Sequence, residues 1–250
     1  MLKFAGPQPY GLSPAEKVPS LAACLQEAAG AAQLPSNPMA YTLYGLGKRV
    51  DMDTGRGSRL SVDDRNAVVA AASRLVECLL GISQSSAVPP IQELDSKHLS
   101  LVAWSLSALT KFDGRVLNAT ARELCYALAE RASQPGVMRA RADVACRNLA
   151  GVLYGIATAS IKCSDNPRVQ EVFSVALGQE LPDLLKLGQK CVPQSVSNIL
   201  LACVDADYKG SMEPFISAVA GRVRKCGGGG DVMAGAWPQA WSNLLYACAK

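Results

Sequence analysis

Pro193-Gln194-Ser195-Val196-Ser197-Asn198 returns 45 residues later as Pro238-Gln239-Ala240-Trp241-Ser242-Asn243. Each copy runs on into a similar apolar stretch, Leu200-Leu201-Ala202-Cys203-Val204 and Leu245-Tyr246-Ala247-Cys248-Ala249. Three earlier stretches follow the same lettering: Leu43-Tyr44-Gly45-Leu46-Gly47, Ala103-Trp104-Ser105-Leu106-Ser107 and Leu153-Tyr154-Gly155-Ile156-Ala157. Their large residues, Tyr44, Trp104, Tyr154, Leu201 and Tyr246, lie 60, 50, 47 and 45 apart. Helical repeats that stack into solenoids have this spacing. The expected fold is all-α, an α-solenoid of stacked helix-turn-helix repeats.

Each repeated stretch reads as the first helix of a unit and is followed by a second helical pattern. The second helices are expected near Val62 to Gly81, Arg115 to Ala132, Pro167 to Leu187 and Ser211 to Cys226. An unpaired helix at Val18 to Gln33 precedes the first copy, so residues 1–35 form an N-terminal segment and 36–250 the repeats. Loops fall at Asp51 to Ser61, Ser83 to Pro90, Gln134-Pro135-Gly136 and Gly227 to Gly230, by their Gly, Pro and Ser content. Ser36 and Ser96 are expected as helix caps, and Pro193 and Pro238 occupy first-turn sites where a helix tolerates proline. The chain stops at Lys250 inside the fifth first helix. Because a solenoid needs capped ends, the sequence reads as a piece of a longer protein.

With the large residue of each first helix as position zero, positions −5, −2, −1 and +2 are apolar in nearly every copy. Met39, Leu99, Leu149, Val196 and Trp241 stand at −5, and Leu46, Leu106, Ile156, Cys203 and Cys248 at +2. At about 100° per residue these positions make one stripe, the expected core. Positions −7, −4, −3, 0 and +4 lie on the other side. At −7 stand Asn37, Lys97, Arg147, Gln194 and Gln239; at −4 and −3 are Ser100, Ser197, Asn198, Ser242 and Asn243; at +4 are Lys48 and Lys250, with Asp205 breaking the pattern.

That second column has two readings. Tyr44, Trp104, Tyr154 and Tyr246 either pack against the neighbouring unit, with Asn and Gln satisfying loop backbone, or stack on bases. The polar first-turn residues would in the second case address single-stranded bases, one per repeat. Both can hold, residue by residue.

The composition agrees with a helical array: 49% hydrophobic and 18% charged residues over 250 positions allow a substantial core. Alanine and leucine carry most of that apolar content and lose little on entering a helix. The formal charge of +4 is only a mild basic bias. Nine cysteines are scattered without a Cys-x-x-Cys pair, and Cys203 and Cys248 share the core position of Leu46. They read as small core residues in a reducing compartment. No run of about 18 uncharged apolar residues suggests a membrane span, and the N-terminus shows no targeting signal.

No catalytic chemistry is visible. His98 is the only histidine and reads as a surface or capping residue, and no clustered Cys or His ligands suggest a zinc site. The run Gly227 to Gly230 lacks the Gly-Lys-Ser/Thr ending of a phosphate loop and reads as a connector. The sequon Asn118-Ala119-Thr120 lies in an expected helix and reads as accidental. Lys48-Arg49-Arg56-Arg59, Arg139-Arg141-Arg147 and Arg222-Arg224-Lys225 read as solvated charges that hold phosphates only if they share a groove. No cofactor, metal or small-molecule substrate is expected.

The string Pro-Gln-x-x-x-Asn-Leu-Leu-Tyr-Ala-Cys-Ala-Lys at 238–250, with its partner at 193–205, resembles the octotricopeptide repeat family of green-algal organelle proteins. Trp104-Ser105-Leu106-Ser107-Ala108-Leu109 and Tyr154-Gly155-Ile156-Ala157 look like degenerate forms of that family's Trp-Ala-Leu-Ala core. The resemblance implies a right-handed α-solenoid that binds single-stranded RNA in a chloroplast or mitochondrion. It implies a role in transcript stability, processing, splicing or translation, alongside other organellar RNA-metabolism proteins. The family's nominal unit is about 38 residues, so the longer units here imply insertions. At one base per unit, five units specify at most about five nucleotides. Either more repeats lie elsewhere or partners supply specificity.

The rival expectation is a protein-binding scaffold of the armadillo or HEAT type, holding an extended peptide in the same groove. Basic residues separate the two. A continuous stripe of Lys48, Lys97, Arg147 and the first-turn amides favours RNA, and an apolar or acidic surface favours the scaffold.

Overall fold

The proline, serine and asparagine punctuation of the sequence sets where helices start. A computed structural model of the chain describes residues 19–55, 60–83, 88–139, 142–188, 191–225 and 238–248. Among them all regular structure is helical, with no strand. Helix α1, Leu21–Ala29, is capped by Ser20, whose hydroxyl accepts the Ala23 amide at 3.2 Å. A 3₁₀ turn, Ala31–Gln33, leads to α2, Ser36–Gly55. Helix α3, Val62–Leu79, is capped by Ser61, and Asp63 and Asp64 complement the positive end of its dipole. Gly81, at φ 74°, ends that run where a side chain would be strained.

Helix α4, Ser96–Phe112, takes Asp95 rather than Ser96 as its cap. The Asp95 carboxylate accepts the His98 amide, and Ser96 is buried one position inside, where its hydroxyl accepts from Asn148 Nδ2 at 3.0 Å. A carboxylate is the stronger acceptor for an orphan amide, so the cap moves back by one. Helix α5, Ala119–Ser133, starts later than the apolar pattern suggested, because Asn118 caps it and Gly114–Val116 forms a 3₁₀ turn. The sequon asparagine is thus committed to its helix.

Helix α6 spans Ala142–Thr158 and α7 spans Pro167–Val175, capped by Asn166 with Pro167 in the first turn. The helical path continues through a π turn, Ala176–Glu180, into α8, Leu181–Lys186. Pro182 lies inside this run; it donates no amide and crowds the preceding turn, so the register widens there. Helices α9, Pro193–Asp205, α10, Glu213–Lys225, and α11, Pro238–Cys248, complete the described elements. The expected Gly227 to Gly230 connector, residues 1–18 of the N-terminal segment and the expected base Lys250 lie outside the described residues.

The helices pack in two rows. First helices meet in series, α2 with α4, α4 with α6, α6 with α9 and α9 with α11, and α1 packs on both α2 and α3. Second helices meet alongside, α3 with α5, α5 with α7 and α8 with α10. The apolar stripe faces the space between the rows: Met39, Leu43, Leu46, Leu99, Val102, Leu106, Leu149, Val152, Ile156, Val196 and Ile199 are all buried. Thr42 replaces an apolar residue at −2 and is satisfied there by Glu27 and the Pro38 carbonyl. In α11 the equivalent side chains Trp241 and Leu245 are exposed. Among the described elements α11 packs chiefly on α9, so no second helix covers that stripe.

Small residues let the first helices approach closely. A Cβ added at Gly155 would lie 2.5 Å from the Ala103 carbonyl carbon, and one at Gly151 would lie 2.1 Å from the Ser100 hydroxyl. Two glycines one turn apart on α6 thus admit α4. The ends of α6 and α9 are built alike. Ser160, φ 64°, and Asp207, φ 53°, each occupy the left-handed position six residues after Tyr154 and Leu201. In each, the next amide reaches back to the helix, Ile161 to the Ile156 carbonyl and Tyr208 to that of Cys203.

Candidate nucleic-acid interface

In the row of first helices, charge and aromatic rings meet in a regular way. Lys48 on α2 lies over the Trp104 ring on α4 at 5.8 Å, and Lys111 on α4 lies over Tyr154 on α6 at 5.9 Å. Lys97 on α4 lies over Tyr41 on α2 at 5.2 Å and donates to its hydroxyl at 2.7 Å. These are the three lysines of the described first helices, and none is in a salt bridge among the described residues. Several arginines elsewhere are paired with carboxylates. Arg115 pairs with Asp113 at 2.7 Å, Arg168 with Glu130 at 3.2 Å, and Arg139 with Glu180 and Asp183. Arg49 on α2 pairs with Asp53 within its own helix. A lysine over a ring keeps its charge available to a second partner, whereas one locked to a carboxylate does not.

Tyr44, Trp104 and Tyr154 are only 5%, 8% and 8% exposed. Tyr44 and Trp104 lie ring against ring, centroids 5.2 Å apart, across the α2–α4 contact. These rings act here as packing between adjacent first helices. The exposed aromatics of the row are Tyr41, Trp241 and Tyr246. Tyr41 was not among the expected site residues, because position −3 is apolar or polar in the other copies.

The first-turn amides are also inside. Gln194, Ser197, Asn198 and Asn243 are buried, and Asn198 Oδ1 accepts from Gln194 Nε2 at 3.1 Å and from Asn243 Nδ2 at 3.3 Å. Ser197 donates to the Gln194 carbonyl. These residues form a polar seam that fixes α9 against α11, the counterpart of Asn148–Ser96 between α6 and α4. Ser242 and Arg147 are half-buried and Asn37 is exposed. The Gln239 side chain lies outside the described residues.

Lys48 is buried, and its ammonium has no hydrogen-bond partner among the described residues; burial pushes its pKa down, opposed by Asp51. His98 is buried rather than at the surface, held by Asp95 at 2.7 Å from Nδ1 and edge-on to Tyr41 with centroids 5.0 Å apart. Cys24, Cys78, Cys125, Cys146, Cys163, Cys191 and Cys203 are free and buried. Burial pushes the thiols of Cys125 and Cys203 up to about 12 and that of Cys163 to about 11. Thiols so held are packing residues, inert as nucleophiles. Among the described residues no group of three or more His, Cys, Asp or Glu is placed to hold a metal, and no helix is long and apolar enough to cross a membrane.

A polar cavity opens at the C-terminal ends of α4, α6 and α9, with Lys111, Tyr154, Lys162 and Asp205 in its wall. Sequence reading did not assemble it, since its residues come from three helices and a loop. The visible signal was Asp205, the residue that broke the +4 column. No protein-family model, curated protein or solved structure matches the chain.

Proposed function

We propose that the chain is an α-solenoid that binds single-stranded RNA without catalysing a reaction, acting in organellar RNA metabolism. The observation that carries this reading is the set of first-helix lysines seated over aromatic rings and left out of salt bridges among the described residues, whereas Arg115, Arg139 and Arg168 are paired with carboxylates. Interleaved cations and rings are what a single strand requires, charge for its phosphates and π-faces for its bases. On this reading Lys97 meets a phosphate, and the exposed rings of Tyr41 and Tyr246 meet bases. The buried amides set the spacing of the helices. The resemblance to the octotricopeptide family supports the same assignment.

The test is filter binding of the intact protein to short single-stranded RNA at two salt concentrations. Wild type binds with strong salt dependence. The variant K97Q, losing one phosphate contact, binds more weakly and shows a slope of log affinity against log salt reduced by roughly 0.7. Absence of salt-sensitive binding by the wild-type protein overturns the reading.

That outcome favours a protein-binding scaffold of the armadillo or HEAT type. Two observations support this second reading: the burial of the amides expected to address bases, and the exposed Trp241, Leu245 and Tyr246 of α11.

A further inference from the structure

The cavity beside Tyr154 has a volume of about 340 Å³, within the range of small-ligand sites. Lys111 comes from α4, Tyr154 and Thr158 from α6, Asp205 from α9, and Ser160 and Lys162 from the loop between α6 and α7. Thr158 and Asp205 are the +4 residues of successive units, so the cavity is a junction between repeats.

Its walls are fixed by hydrogen bonds. The loop leaves α6 through the left-handed Ser160, then docks on the end of α9, where the Cys163 amide donates to the Ala206 carbonyl at 2.8 Å. Lys162 donates its ammonium to the Asp205 backbone carbonyl, and its own amide is held by Asp165 at 2.9 Å. The Thr158 hydroxyl is tied to the Tyr154 carbonyl and to Ser107.

Three polar tips are left over. Among the described residues, the Lys111 ammonium, the Asp205 carboxylate and the Tyr154 hydroxyl are in no hydrogen bond or salt bridge, although Tyr154 is only 8% exposed. Lys111 touches the Tyr154 ring by its charge alone. Burial raises the Asp205 carboxyl against the pull of Lys162 and Lys111, and burial together with Asp205 lifts the Tyr154 hydroxyl to about 12. These groups stand ready to bond an incoming ligand.

The mixture of signs selects the ligand. A phosphate entering here meets the Asp205 carboxylate, and a metal cation meets two lysines. A neutral edge carrying donors and acceptors together satisfies both. Among RNA bases only guanine presents two adjacent donors, N1–H and the N2 amine, next to an acceptor, O6. A carboxylate accepts both donors at once, and an ammonium donates to O6. Adenine and cytosine offer a carboxylate only one amine, and uracil one ring N–H.

We propose that this inter-repeat cavity holds a guanine base of the bound single strand, with Asp205 accepting from N1–H and N2–H and Lys111 donating to O6. The inference rests on the RNA-binding reading and adds a base identity to it.

The test is fluorescence anisotropy of the intact protein with labelled uridine-rich oligonucleotides carrying one guanosine, or inosine or adenosine in its place. Inosine keeps O6 and N1–H and lacks only the N2 amine. Wild type is expected to favour guanosine over inosine by on the order of tenfold and over adenosine by at least as much. D205N, whose amide presents one acceptor, is expected to lose the guanosine preference while keeping salt-dependent binding to the uridine background. Equal affinity of the wild type for all three oligonucleotides, with salt-sensitive binding intact, overturns the guanine site and leaves the RNA reading standing. A uniform loss of affinity for all oligonucleotides in D205N also overturns it. No binding to any oligonucleotide overturns both.

Discussion

Gly155→Ala is expected to destabilise the protein, against the ordinary sign of that substitution. In a helix interior, alanine is favoured over glycine by about 1 kcal/mol. At this site the new methyl would lie 2.5 Å from the Ala103 carbonyl carbon and 2.7 Å from both its oxygen and its Cβ. Two of these three atoms are backbone, so no side-chain rotation relieves the clash. Carbon atoms settle at about 3.5–4.0 Å, so α4 and α6 must part by about 1 Å locally. A gap of that size forfeits roughly a quarter to a half of each pairwise attraction across the seam, where Ser100 and Ala103 of α4 meet Gly151 and Gly155 of α6. Overpacking costs roughly 1–3 kcal/mol, and a clash against backbone that cannot rotate away takes roughly the upper 2–3 kcal/mol of that range. Set against the helical gain, the net loss is about 1–2 kcal/mol. Gly221 on α10 is the internal control, because nothing lies within 4 Å of its added Cβ; Gly221→Ala is expected to gain about 0.5–1 kcal/mol. Urea unfolding followed by tryptophan fluorescence reads both as shifts in midpoint at unchanged slope. A Gly155→Ala variant as stable as wild type, or one shifted in the same direction as Gly221→Ala, refutes the close approach of α4 and α6.

Two further outcomes follow from the same packing. Asn198→Ala removes the acceptor shared by Gln194 and Asn243, leaving buried amides unsatisfied at a cost of roughly 1–3 kcal/mol; an unchanged urea midpoint would show that the α9–α11 seam carries no stability. Stability is expected to decline on the alkaline side. Cys163 is raised from 9.0 to about 11, Cys125 and Cys203 from 9.0 to about 12, and Tyr154 from 10.0 to about 12. Groups whose folded pKa is raised contribute fully below their unfolded values, and that contribution is lost as pH rises through the folded ones. The melting temperature is therefore expected to hold below pH 9 and to fall between about pH 9 and 12, with a smaller fall in a Cys203→Ala variant; a flat profile over that window contradicts the burial of these groups.

The helical phase was legible because it depends on direction alone. Met39, Leu99, Leu149 and Val196 recur at one angular position, and a period near 3.6 places them on one side whatever lies opposite. What lies opposite was not legible. Tyr44, Trp104, Tyr154, Asn198 and Asn243 sit away from the inter-row core, and their polarity suggested an open surface. Yet first helices also pack sideways on each other, so these positions fall in the lateral contact. A polar residue there needs only a polar neighbour, and the neighbour is supplied by the next copy at the same position, as Asn243 supplies Asn198. Helix starts shifted where a stronger acceptor stood one residue earlier, as with Asp95 ahead of Ser96. The cavity was beyond sequence reading, because Lys111, Tyr154 and Asp205 are distant along the chain and share no motif.

The hydrogen bond from the Cys163 amide to the Ala206 carbonyl joins the loop after α6 to the end of α9. Side-chain packing between repeats tolerates small slippage, since apolar surfaces slide without a sharp penalty. A directional backbone bond does not. The loop after α6 is therefore held in register on the end of α9, so a displacement of that end is carried to Ser160 and Lys162 in the cavity wall.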